Sequence, residues 1–188
     1  MVDFQMWLVG TFARATPVAT MMKTAWGWPA AESVHFIGLC LLVGAIFLFD
    51  LRLLGFARRI PIGALHRLIP WGLTGFAMTA GSGILFVLTE PDQYVYNPAF
   101  HFKLLFMAAA GLNASAFYVT SYRKATAPGA PDEAPRLAKI IAVASLSLWI
   151  GVIVAGRLIT FHRPFPCGPE GAGFLAQCLP NYYRDAPR

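Results

Sequence analysis

Residues 33–52, SVHFIGLCLLVGAIFLFDLR, place one histidine at the head of a long apolar run and an aspartate and an arginine at its foot. Between His35 and Asp50 the chain carries no charge. At a rise of about 1.5 Å per residue, roughly 20 such residues cross the hydrocarbon core of a bilayer, so the stretch reads as a transmembrane helix. An imidazole inside such a helix is costly unless it is hydrogen-bonded, ligates something or reaches water. His35 therefore demands a partner, and the rest of the chain must supply it.

Working outward, the first span runs from about Pro29 to Phe49, and three more stretches match it: Leu68 to Thr89, Leu104 to Tyr122 and Ile140 to Gly156. Of the 188 residues 57% are hydrophobic and 13% charged, with a mean hydropathy of +0.57, values foreign to a soluble domain. The expected fold is all-α: an integral membrane four-helix bundle over residues 29–163, an N-terminal interfacial helix within 1–28 and a disulfide-closed tail over 164–188. The opening segment lacks a basic region and a small-residue cleavage site, so it is not read as a signal peptide. Phe4, Trp7, Leu8 and Phe12 recur at helical offsets, with Trp26 and Trp28 as belt residues before the first span.

Basic residues orient the bundle. Arg52, Arg58, Arg59 and Arg67 join spans one and two, and Arg123, Lys124, Arg136 and Lys139 join spans three and four. Both loops are expected on the cytoplasmic side of a bacterial inner membrane, which leaves both termini and the loop EPDQYVYNPAFHFK, residues 90–103, in the periplasm. That oxidising compartment suits a disulfide between Cys167 and Cys178 in the tail, while Cys40 reads as a packing residue. The net charge of +6 follows from this orientation and from anionic lipid, with no call for nucleic acid. No nucleophile elbow, phosphate-binding glycine loop or HExxH pattern occurs. TAPGAPDEAP, residues 126–135, reads as a flexible loop.

Sorted by depth, His35, His101 and His162 lie toward the outer face and His66 toward the inner one. Spans one and three run in the same direction. His35 follows Pro29 and His101 follows Pro98 at depths that differ by about 4.5 Å at helical rise, so two imidazoles on facing helices could hold one haem iron. His162 is the substitute ligand. Arg157, in VIVAGRLITFHR, needs an anion at this level, supplied by Glu32, by a haem propionate or by a quinone oxygen. Asp50 and Arg52 mark the inner end of span one, with Arg123 a partner for Asp50. Asn113 reads as an interhelical hydrogen bond.

ESVHFIGLCLLVGAIFLFDLRLLG (32–55), PWGLTGF (70–76), NPAFHFKLLFMAAAGLNASAF (97–117) and LWIGVIVAGRLI (148–159) resemble a family of small bacterial four-helix membrane proteins of unknown function. More distantly, the histidine-bearing helices look like four-helix b-type cytochromes and copper-resistance inner-membrane proteins, a likeness carried by His35. The functional expectation is a membrane electron-transfer protein with haem b near the periplasmic face, His35 and His101 as ligands and Arg157 and Glu32 beside it. It would work between a quinone pool and a periplasmic redox partner. The alternatives are a copper-handling protein, with Met6, Met21, Met22 and Met107 joining His35, His101 and His162, and a cofactor-free subunit of a larger membrane complex.

Overall fold

The computed structural model describes residues 17–126 and 133–162, together with the backbone of 165–166 and 178–179. In chain order the helices are α1 (Pro17–Met22), α2 (Gly27–Leu53), α3 (Ile62–His66), α4 (Ile69–Thr89), α5 (Pro91–Val95), α6 (Pro98–Thr120), α7 (Tyr122–Thr126) and α8 (Arg136–Leu158). In the tail, β1 (Phe165–Pro166) pairs in parallel with β2 (Cys178–Leu179), Phe165 opposite Cys178. Cys167 lies outside the described residues, as do Phe4, Trp7, Leu8 and Phe12 of the expected interfacial helix.

Four segments, α2, α3 with α4, α6 and α8, are long and apolar enough to cross a membrane. Their outward faces are hydrocarbon: Leu112 is 74% exposed and Val119 85%, and only 11% of the most apolar stretch of α6 is buried. Apolar surface on this scale needs a lipid solvent. The chain is a multi-pass membrane protein.

The spans extend beyond the purely apolar runs because polar residues find partners at their ends. Proline stands in the first turn of α4 and α6, where its missing N–H costs nothing. Helix α6 begins at Pro98 rather than Leu104, which carries His101 and Lys103 into the helix. At the far end of α2, buried Arg52 donates to the backbone oxygens of Ile60 and Arg58. It thereby fastens the loop that Gly55 opens at φ +102°, a conformation side chains resist.

Packing joins α2 to α4 and α6 to α8, and the two pairs meet through α2 on α8. The first pair is very close. A Cβ added to Gly75 would lie 2.5 Å from the Gly38 backbone oxygen, and one on Gly38 would lie 2.8 Å from that of Gly75. Between the membrane-spanning helices such backbone contact supplies van der Waals attraction that water cannot. Asn113 Nδ2 donates to Ile141 O at 3.0 Å, tying α6 to α8 as expected. Before the first span, Met22 of α1 is 1% exposed and packs with Ala31 and Phe86 against Trp28. Trp26 stays 82% exposed.

Candidate functional site

His35 is turned toward α4. Its Nδ1 lies 2.9 Å from Ser82 Oγ, and that hydroxyl donates its one hydrogen to Met78 O at 2.7 Å. The same hydroxyl lies 3.2 Å from Thr79 O, and with its hydrogen on these carbonyls it favours the tautomer that is protonated at Nδ1 and leaves the Nε2 lone pair for a ligand. The ring sits among aromatic neighbours, 5.6 Å from Phe86 and 6.4 Å from Phe36 between centroids. Gly83 leaves the space beside Cε1, which an added Cβ would approach to 3.8 Å.

Lys103 of α6 brings its ammonium within electrostatic reach of this ring. Its side chain runs along Gly156 of α8, where an added Cβ would stand 3.7 Å from Nζ. Among the described residues Lys103 makes no hydrogen bond or ion pair. In the sequence Lys103 falls at the end of the connector 90–103, just before the third apolar run. The available signal was its place five residues past Pro98 in a capped helix, since a cation inside a span marks a site.

The other histidines point elsewhere. His101 Nε2 meets Val95 O at 2.9 Å, so this nitrogen is the protonated donor and the ring braces the turn between α5 and α6. His162 is exposed just past α8, with Nδ1 3.2 Å from Leu158 O at the end of that helix. His66, at the opposite end, meets Tyr118 Oη at 3.1 Å. Arg157 is exposed on α8 with its guanidinium 4.8 Å from the centre of the Phe161 ring, a cation–π contact. Glu32 is exposed as well, and the structure does not bring the two together. Lys103, rather than Arg157, is the cation that reaches His35.

These placements fit a haem in part: one imidazole and one cation come together, while the Nε2 of His101 is engaged by Val95 O. A copper site is matched less well. Met22 is in the core near Phe86, Met107 lines a cavity in the other half of the bundle and Met21 is exposed. Among the described residues no group of three or more His, Cys, Asp or Glu side chains could hold a metal ion.

Residues 12–162, all four spans included, match a family of unknown function, DUF6644. The chain belongs to that family. Neither a curated protein nor a solved structure matches it. Membership in DUF6644 thus agrees with the resemblance carried by the histidine, NPAF and GRLI segments and assigns no chemistry to them.

Proposed function

We propose that this DUF6644 protein is an electron-transfer protein of the bacterial inner membrane, similar in kind to a b-type cytochrome, that holds haem b through His35. One observation carries the reading: Ser82 Oγ lies 2.9 Å from Nδ1 of a histidine inside a span, an arrangement that favours the Nδ1-protonated tautomer and leaves Nε2 to ligate. Metal-ligating imidazoles are oriented in this way by a hydrogen bond at the other nitrogen. A bound haem would supply a one-electron carrier. The chain's own residues supply the ligand, the favoured tautomer, the Phe86 and Phe36 rings beside it and the Lys103 charge to balance a propionate. In this proposal His101 is structural, because its Nε2 proton is committed to Val95.

Orientation supports the same picture. Glu133 binds Arg58 at 3.1 Å and Lys139 at 3.5 Å, so the two basic loops share one end of the bundle, which the positive-inside rule assigns to the cytoplasm. His35 then faces the periplasm, where a redox partner would dock and where both termini lie. The tail would be clasped by Cys167–Cys178, a reading supported by the pairing of Phe165 with Cys178.

Expression with 5-aminolaevulinate, followed by purification in detergent, tests the proposal. Wild-type protein should carry haem with a Soret band. His35→Ala should lose it and His101→Ala should keep it. Colourless wild-type protein, or an unchanged spectrum in His35→Ala, overturns the reading and leaves the accessory-subunit alternative.

A further inference from the structure

The half of the bundle near Arg52 contains a second unusual place. A cavity of about 290 Å³ is walled by all four long helices. Its lining is mostly aliphatic and aromatic, with Phe49, Phe76, Phe117 and Trp149 the largest members. Polar side chains interrupt it: Asp50 from α2, Asn113 and Tyr118 from α6 and Ser145 from α8.

Asp50 is 5% exposed. Ser145 of α8 stands beside its carboxyl group, and Oδ2 has no hydrogen-bond partner. Asn113 gives one of its two amide hydrogens to Ile141 O, and its carbonyl oxygen is a second acceptor, on α6. A buried polar atom without a partner is costly, and an ionisable side chain within a span marks a ligand or ion site. The unmatched oxygen borders a space large enough to hold what would satisfy it.

We propose that this cavity binds a lipid-soluble quinol, whose ring hydroxyl donates to Asp50 Oδ2. Four features select that class. The unmatched Asp50 Oδ2 and the Asn113 carbonyl oxygen are satisfied by an O–H donor. The aromatic walls suit a flat ring. An apolar cavity of roughly 150 Å³ holds benzene, so this one takes a substituted ring and is small for a fused-ring sterol. Finally, α4 and α6 are not a packed pair, and Leu73 and Gly111, lining residues from those two helices, are exposed. The mouth therefore opens between them into lipid, where the isoprenoid tail would lie. At the Arg52 end Tyr118, bonded to His66, closes the floor.

The site contains no part of the His35 cluster and stands whether or not haem is bound there. Calorimetric titration of the full chain in phosphatidylcholine nanodiscs with decyl-ubiquinol, kept reduced under anaerobic conditions, tests it against empty nanodiscs. Saturable one-site binding is expected, at least tenfold weaker for the dimethyl ether of the same compound, which has no O–H. Asp50→Asn should weaken binding about tenfold. Gly111→Leu should abolish it by filling the mouth, where an added Cβ meets nothing within 4 Å and the fold has no reason to fail. His35→Ala should bind the quinol as wild type does, so loss of the Soret band and loss of quinol binding are separate results. Uptake no greater than in empty nanodiscs, equal affinity for the ether, or wild-type affinity in Gly111→Leu overturns the proposal.

Discussion

Asn97, with 0% of its surface exposed, serves two helices at once. Its Oδ1 caps α6 by accepting from Ala99 N at 3.0 Å, and its Nδ2 donates to Ile159 O at 3.1 Å and His162 O at 2.9 Å at the end of α8. Losing an N-cap costs about 1 kcal/mol, and stranding buried carbonyls adds about 1–3 kcal/mol. Asn97→Ala should therefore lower stability by about 2–4 kcal/mol, read as a reduced midpoint of thermal unfolding in detergent. An unchanged midpoint would show that water replaces both bonds. Asp92 of α5, in the connector between spans, behaves differently. Burial, and then the neighbouring Glu90 charge, holds its carboxyl above the usual carboxylate range, and its Oδ1 has no partner. The folded state then binds more protons than the unfolded state above the ordinary carboxyl value, so stability falls as pH rises through that window. Asp92→Asn should be more stable than wild type at pH 7, and the difference should shrink on acidification below the ordinary carboxyl range. A difference that is flat with pH would refute this.

At the scale of the helix, small residues with the same apolar reading do opposite things. Gly38 and Gly75 are filled by the facing backbone, and Gly151 by the Phe106 ring at 3.0 Å, whereas an added Cβ at Gly81 would meet nothing within 4 Å. Gly75→Ala must push α2 and α4 apart and should cost about 1–3 kcal/mol, as overpacking does. Gly81→Ala should be neutral or up to about 1 kcal/mol stabilising through helix propensity. Comparing the two unfolding midpoints checks this, and equal effects would mean that the helix pair is not held by that contact. The spans themselves were legible in the sequence because hydropathy over about 20 residues suffices. Their ends were less so: Lys103, Asp50 and Arg52 read as borders and proved to be inside helices, since each is accommodated by neighbours that only folding supplies.

For the whole molecule, the proposed topology places residue 130 in the cytoplasm and residue 93 in the periplasm. In a chain whose native cysteines are replaced by serine, Gln93→Cys should react with an impermeant maleimide on intact cells, and Ala130→Cys only after lysis. In the native chain, peptide mass spectrometry without reductant should find Cys167 joined to Cys178. External labelling at residue 130 would reverse the orientation, and finding both tail thiols free would undermine the outward placement of the tail.

Alone, the sequence determined the environment and the architecture: four apolar runs of bilayer length, short connectors that make neighbours antiparallel, and basic loops at one end. Which polar side chains meet was decided only by tertiary structure. Spacing along a helix sets the depth of a residue, but the rotation of each helix depends on its neighbours. In a membrane both sides of a span are apolar, one facing protein and one facing lipid, so no hydrophobic stripe marks the inward face. By helical rise His35 and His101 lie only about 4.5 Å apart in depth, yet His35 turns to Ser82 and His101 to Val95. Arg157 turns outward to Phe161 while Lys103 runs inward toward His35. Asp50 finds Ser145 on α8, whereas Arg123 stays exposed. Each choice follows from packing that brings α2 against α4 and α8.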